Sequence, residues 1–282
     1  MDPPKKWTSD AADVAREERK REGSPSSFFY SQGKALVLAA RYFRNDRLVP
    51  TARGGVAYKH RHRIHLALFG QMMAALEFLF KDFVASVVDL VPTFDDAILQ
   101  AKWLDVDAKQ VLSLRSASST AGSVLLHGTL GWHDAETVNK RYSALFQKAP
   151  IENSEIPDLD RLWLLRHSVA HNAGFVTAYD AVRGGMPHLA DAVADVDGTF
   201  LSDSFDFLCG IAGRVAEVVG DAVVLMWLKS RVPAGKNYQR DKATYKQLKL
   251  LATFAKSRTA ELPSITKGRY SKDWEMSNRE HS

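Results

Sequence analysis

Apolar residues recur at every third or fourth position over most of residues 28–231, a spacing typical of amphipathic helices. The clearest stripe consists of seven apolar residues: Phe205, Leu208, Ala212, Val215, Val219, Ala222 and Met226. The run from Val56 to Val91 is apolar on most sides, which predicts a long central helix that Pro92 ends. The pattern therefore predicts an all-α fold, a bundle of helices around one buried helix.

Shorter periodic segments predict the remaining helices. One of them places four apolar residues on a single face: Leu36, Ala39, Ala40 and Phe43. The others are a short helix capped by Thr93, and helices over about residues 107–115, 134–146 and 238–257. Gly213 and Gly220 lie within the clearest stripe, where they predict the close approach of another helix.

Residues 175–201 break the helical spacing. Residues 175–179 favour an extended segment, and Gly184 with Gly185 predicts a turn. Asp197 with Gly198 predicts a second turn before the next apolar residues. We therefore expect a small irregular or hairpin insertion at this point of the bundle.

Composition divides the chain into three parts. A breaker at residues 23–27 separates a charged N-terminal arm, residues 1–27, from the helical domain, residues 28–231. Residues 232–282 are predicted to form a basic C-terminal helix and a loose tail. The formal net charge of +5 permits an anionic partner without requiring one.

Compartment and membrane signals are few. Cys209 is the one cysteine, which excludes an internal disulfide framework and fits a reducing cytoplasm. The N-terminus has no apolar run of the kind that a signal peptide needs. Glu77, Lys81 and Asp82 interrupt the most apolar stretch, which favours a buried central helix over a membrane span.

Residues 159–174 carry the most informative chemistry. A helix-like run contains Arg166 and His171, and Asn172 and Gly174 predict that the helix ends just beyond them. The arginine guanidinium presents a fork of donors that fits phosphate, and histidine moves protons near neutral pH. Positions five apart lie about 140° apart around an ideal helix. The two side chains therefore converge only if the arginine reaches round, if the helix ends near His171, or if a second copy packs alongside.

This segment resembles the HEPN superfamily (higher eukaryotes and prokaryotes nucleotide-binding). The resemblance lies in Arg166, the polar His167 after it, His171 five residues on, and the Asn172-Ala173-Gly174 ending. It implies an HEPN-like helical bundle that forms a homodimer with a composite active site and cleaves RNA without a metal or cofactor. Arg166 and His171 would be catalytic, with His167 and Asn172 in support. The family association implies a role in stress response or anti-phage defence and a possible antitoxin or regulatory partner.

Two alternatives remain open. In the first, the chain has an HEPN-like fold without catalysis and binds RNA, a nucleotide or a protein partner. In the second, it is a zinc-dependent hydrolase. His167 and His171 have the spacing of zinc ligands on a helix, but Ser168 stands where a zincin has its glutamate. A metal site at His60, His62 and His65 is disfavoured by the basic residues between them.

Basic residues indicate where RNA would bind. Arg61 and Arg63 interleave with the histidines near the start of the long helix and predict a patch for phosphates. Lys242, Lys246 and Lys249 form a stripe on the last predicted helix, where they would track a phosphate backbone. A solvated helix start is an open alternative for the arginines, and a stripe of lysines is more often simply a solvated surface.

Overall fold

The computed structural model describes residues 24–44, 61–90, 95–104, 120–122 and 131–229. The longer elements, in chain order, are α1 (Pro25–Arg44), α2 (Arg61–Leu90), α3 (Asp95–Gln100), α4 (Ala135–Phe146), α5 (Ile156–Asn172), β1 (Phe175–Val176), α6 (Ala178–Arg183), β2 (Ala192–Val193) and α7 (Gly198–Lys229). Short 3₁₀ turns occupy Lys102–Leu104 and Pro187–Leu189. The all-α prediction is confirmed. The predicted helices over residues 107–115 and 238–257, the N-terminal arm up to residue 23, and Lys242, Lys246 and Lys249 lie outside the described residues.

Helix α2 is the centre of the bundle and packs against α1, α5 and α7. Its inward side chains are almost fully buried: Phe69, Met72, Met73, Leu76, Leu79, Phe80 and Phe83. By length and composition alone, Arg61–Asp89 is apolar enough to cross a membrane, a test that the core helix of a soluble bundle also passes. The burial of these side chains agrees with the predicted central helix.

Helices α1 and α7 meet through a glycine. The Phe205 ring on α7 packs 6.0 Å from the Phe29 ring and 5.9 Å from the Tyr30 ring, measured between centroids. A Cβ on Gly33 of α1 would lie only 2.1 Å from Phe205 Cε2. A Cβ on Gly213, by contrast, would meet no atom within 4 Å in the part of the chain that the structure describes. Among the described residues, no helix therefore approaches Gly213 closely, and Gly33 is where a missing side chain admits its neighbour.

Helix α4 is anchored by a buried tyrosine. The Tyr142 hydroxyl donates a hydrogen bond of 3.0 Å to the Phe80 carbonyl of α2. Burial raises the pKa of Tyr142 well above its usual value, with the charge of Asp82 as a second cause. The hydroxyl therefore stays protonated and can keep donating. Asp134 begins the helix by accepting a hydrogen bond of 2.7 Å from the Thr137 amide, so the helix predicted for residues 134–146 is confirmed.

The segment after α5 contains the predicted hairpin in a reduced form. The two strands pair antiparallel, with Phe175 opposite Val193. The extended prediction for residues 175–179 is wrong beyond Val176, because Thr177 caps α6 by accepting a hydrogen bond of 3.1 Å from the Asp180 amide. Asp197 accepts a bond of 2.7 Å from the Phe200 amide and so begins a helix at the point where the sequence predicts a second turn.

Candidate functional site

Helix α5, which carries the arginine–histidine segment, runs antiparallel to α2. A Cβ on Gly70 of α2 would contact Val169, and Leu66 packs against Gly174 just after α5. The start of α5 is tied to α7, since Arg214 donates to both carboxylate oxygens of Glu155 and, at 3.1 Å, to the Pro150 carbonyl. The last turn of α5 therefore lies at the same end of the bundle as the first turn of α2.

The end of α5 is set by backbone geometry. Ala173 and Gly174 have positive φ angles of 53° and 89°, and both amides point to the Ser168 carbonyl, with 2.9 Å for Gly174. The helix thus ends at Asn172, directly after His171, as the sequence predicts. Gly174 is buried because Leu66 covers it.

We expect Gly174→Ala to lower the free energy of unfolding by about 2 kcal/mol, since a left-handed residue with a side chain is strained. The new Cβ would also lie 2.7 Å from Leu66 Cδ1. Urea denaturation measures the loss. Gly185→Ala is the matched control, because Gly185 also has a positive φ of 66° but a Cβ there would only touch Arg161 Nη2 at 3.7 Å. An equal loss in both variants would show that the Leu66 contact contributes nothing.

The motif side chains lie on the open side of the last two turns of α5. His167 and His171 are exposed, and their rings lie 4.6 Å apart between centroids at an angle of 44°. Arg166 is half-buried, and Ala170, four residues later, is exposed. Arg166 lies on the same side of the helix as the buried Leu159 and Leu162, so its half-buried side chain emerges at the edge of the packed side. The arginine and both histidines therefore border one accessible surface.

These side chains are not engaged in structural roles in the described part of the chain. Arg166, His167, His171 and Asn172 form no side-chain hydrogen bond or salt bridge there. An arginine that caps carbonyls or neutralises a carboxylate would show such bonds. The guanidinium donors of Arg166 and the ring nitrogens of His171 are therefore available to a ligand.

The predicted basic patch lies at this end of the molecule. Arg61 and Arg63 are exposed on the first turn of α2, which the antiparallel packing brings to the same end as His171. His65 faces the other way: it is buried, and its Nε2 has no hydrogen-bond partner in the described residues. The structure thus separates the arginines, which are accessible to a phosphate backbone, from His65, which belongs to the core.

The pair His167 and His171 is the nearest approach to a metal site. Two imidazoles four residues apart supply at most two ligands, whereas a zinc site takes three or four. Within the described ranges, no group of three or more histidine, cysteine, aspartate or glutamate side chains is placed to hold a metal ion. Cys209 is buried in the core.

A cleft of about 620 Å³ continues the motif surface along α5 toward its start. The side chains in its walls that carry charge or an imidazole are His133, Asp134, Asp160, Arg161, His167, Asp180 and Arg183. Sequence reasoning recognised only His167 among them. Positions 160, 164, 167 and 171 share one helical face, and this spacing was the available signal. The opposite wall, formed by α6 and the Gly184–Gly185 turn, is placed there by tertiary packing.

Asp160 sits in the cleft with an unusual environment. Burial raises the pKa of its carboxyl group, and nearby Asp134 and Glu136 add to this effect, while the Ala135 amide and Arg183 oppose it. The one hydrogen bond that Asp160 accepts in the described residues, from the Ala135 amide, is long at 3.3 Å. The carboxylate is therefore poorly satisfied when it is charged.

Asp160→Asn should make the protein slightly more stable at neutral pH, by about 0.5 kcal/mol or less after solvent screening. The folded state favours the protonated acid, so the contribution of Asp160 is fully present below the unfolded pKa of about 3.9 and is lost as pH rises through the higher folded value. The gain should vanish at acid pH. Thermal unfolding across this range tests it, with Asp203→Asn, an exposed carboxylate of α7, as control. A gain that persists in acid would contradict the explanation.

Comparisons of the chain with protein-family models, with curated proteins and with solved structures gave no match.

Proposed function

We propose that the protein is a metal-independent endoribonuclease whose active site lies on the open face of the last turns of α5. The observation that carries the proposal is the placement of Arg166 and His171 at this face, with no side-chain hydrogen bond or salt bridge for either in the described residues. A permanently charged guanidinium and an imidazole, which can donate or accept a proton, are groups that suit phosphodiester cleavage. The exposed Arg61 and Arg63 at the same end supply positive charge for the RNA backbone.

The reaction is an internal transfer at phosphorus. A general base removes the proton of the RNA 2′-hydroxyl, the 2′-oxygen attacks the adjacent phosphorus, and the bond to the 5′-oxygen breaks as that oxygen receives a proton. His171 acts as general acid or base in this exchange, and Arg166 stabilises the charge on the phosphoryl oxygens. His167, whose ring contacts that of His171, orients it, and Asn172 assists. The products carry a 2′,3′-cyclic phosphate and a 5′-hydroxyl.

A second copy of the chain would complete this site. Arg166 and His171 lie on opposite borders of the open face, so one copy places them poorly around a single phosphate. In the hairpin and α6, which follow α5 in the chain, four large apolar side chains are exposed: Phe175, Tyr179, Val182 and Val193. Such a cluster next to polar residues is typical of an interaction surface. We propose a homodimer in which the two motifs face one another.

The experiment uses RNA and the same sequence with 2′-O-methyl groups. In EDTA, the protein should cleave the first and leave the second intact, because the methyl group blocks the nucleophile. Product ends should be cyclic phosphate and 5′-hydroxyl, and sedimentation should show a dimer. Activity that EDTA removes and zinc restores would favour the zinc-dependent alternative. RNA binding without cleavage would favour the non-catalytic module.

The cellular setting is proposed on the family resemblance alone. A ribonuclease of this kind would act in the cytoplasm, in stress response or anti-phage defence, under the control of an antitoxin or regulatory protein. Removal of such a partner from a purified complex should raise the rate at which the protein cleaves RNA. Neither a cofactor nor a membrane enters the proposal.

A further inference from the structure

The cleft beside the motif is large enough for a ligand of its own. Its volume of about 620 Å³ falls within the range of small-molecule sites, about 300–1,000 Å³. His167 borders both the cleft and the motif face, so a ligand in the cleft would adjoin the proposed reaction centre. Trp163 and Leu164 of α5 form an apolar wall of the cleft. The rim is polar and carries both donors and acceptors.

The cleft contains two arginines, which differ in whether their donors are already engaged. Arg161 is held in place, since its Nη1 donates to Asp158 at 2.8 Å and its Nε to the Gly184 carbonyl at 3.1 Å. Its Nη2 lies on the side of Gly185, where an added Cβ would approach it to 3.7 Å. Arg183 makes no hydrogen bond or salt bridge among the described residues. A phosphate can accept hydrogen bonds from both groups: from Arg161, which is already held in position, and from Arg183, whose donors are not engaged in the described residues.

Each of the three carboxylates accepts one hydrogen bond in the described residues, and the bond to Asp160 is the longest. Asp134 accepts from the Thr137 amide, and Asp180 accepts from the Thr177 hydroxyl at 2.9 Å. Asp160 has only its long bond to the Ala135 amide, although a carboxylate has about four acceptor positions. A half-buried carboxylate with spare acceptors is satisfied by a ligand that brings N–H donors.

These groups together restrict the ligand. It must present an anion to Arg183 and Arg161, N–H donors to Asp160, and a flat apolar surface to the wall. Three carboxylates line the cleft, so a singly charged phosphodiester fits better than a doubly charged terminal phosphate. A nucleotide within a strand that carries an amino-bearing base meets all three requirements.

We infer that this cleft binds one nucleotide of a single-stranded RNA, next to the scissile phosphate, with an amino-bearing base toward Asp160 and a backbone phosphate toward Arg183. In taking RNA as the ligand, the inference rests on the proposed function. It adds a preference for adenine or cytosine over uracil, because uracil has no exocyclic amino group. Base choice would then be set outside the arginine–histidine motif.

The test measures binding, which is separate from cleavage. Fluorescent 2′-O-methyl oligomers of adenosine, cytidine or uridine are titrated with the intact protein, and fluorescence anisotropy reports Kd. The adenosine and cytidine oligomers should bind about tenfold more tightly than the uridine oligomer. Asp160→Asn should reduce this preference to about twofold, and Arg183→Ala should weaken all three about equally, by about fivefold to tenfold. Glu217→Gln and Arg41→Ala, at exposed positions on α7 and α1, are the matched controls and should change nothing.

Each outcome decides the inference. Cleft variants that are folded but bind as wild type overturn it, as does wild-type protein that binds no oligomer. Adenosine monophosphate that competes as tightly as the oligomer overturns the strand assignment and indicates a free nucleotide. If cleavage requires His171 but binding does not depend on Asp160 or Arg183, the proposed nuclease function stands and the proposed role of the cleft is wrong. If binding depends on the cleft residues but no RNA is cleaved, the cleft binds RNA and the proposed nuclease function is wrong.

Discussion

Replacing His171 with alanine is expected to slow RNA cleavage by about 10²–10⁴-fold, the usual contribution of a positioned general acid or base. His171 is exposed at the last turn of α5, and no described residue engages its ring except His167. Its removal therefore costs little stability, and the loss of rate would report on chemistry. Arg166→Ala should slow cleavage by about 10²–10³-fold, because the developing phosphoryl charge loses its guanidinium.

Matched controls separate chemistry from surface charge. His188, exposed on a short 3₁₀ turn, and Arg41, exposed on α1, are the histidine and arginine whose replacement should leave the rate unchanged. Single-turnover rates measured against pH should show that His171→Ala loses one limb of the wild-type profile. Rates in His171→Ala close to wild type would remove the proposed mechanism.

Mixed dimers test whether the site is composite. When Arg166→Ala and His171→Ala subunits are combined, one protomer retains the arginine and the other retains the histidine. If the two residues act across the dimer, cleavage should recover to a sizeable fraction of wild type. If they act within one subunit, the mixture should stay as inactive as each variant alone. The proposed dimer would then not be required for catalysis.

The second large effect concerns stability. Gly33→Ala should lower the free energy of unfolding by about 2 kcal/mol, because a new methyl group inserted into a packed core typically costs about 1–3 kcal/mol. The added Cβ would lie 2.1 Å from Cε2 of Phe205, a ring already packed against Phe29 and Tyr30. Phe205 is buried, so either its ring or one of the two helices must shift to admit the methyl group.

Two further variants make this prediction specific. Gly213→Ala lies in α7 where a Cβ meets nothing within 4 Å among the described residues, so it should stabilise the helix by about 0.5–1 kcal/mol. Phe205→Leu, combined with Gly33→Ala, should recover part of the loss and give a favourable coupling energy in denaturation experiments. Additive effects of the two substitutions would show that their contact does not cause the destabilisation.

The helices are largely readable from the sequence, because burial of an apolar face repeats every three or four residues wherever a helix lies on a core. The stripe from Phe205 to Val219 is buried as expected, and the segment 134–146 begins and ends as expected. Local capping is also readable, and Gly174 ends α5 beside the motif. The prediction failed at residues 177–179, where Thr177 caps a helix that periodicity over so few residues does not reveal.

The candidate site divides in the same way. Arg166 and His171 stand out in the sequence because their chemistry and spacing form a local pattern, and the position of the helix end follows from residues next to them. The cleft does not stand out, since Asp160 on α5 and Arg183 on α6 become neighbours only when the hairpin folds back on α5. No local pattern records a contact between separate elements.

The sequence by itself determined an all-α chain, a central apolar helix, and an arginine and a histidine at a helix end. The tertiary structure decided which side of α5 stays open, that Arg166 borders it, and that Gly33 admits a neighbouring helix. The physical reason is that helical periodicity depends on each segment alone, whereas exposure and close packing depend on which other segment covers each face.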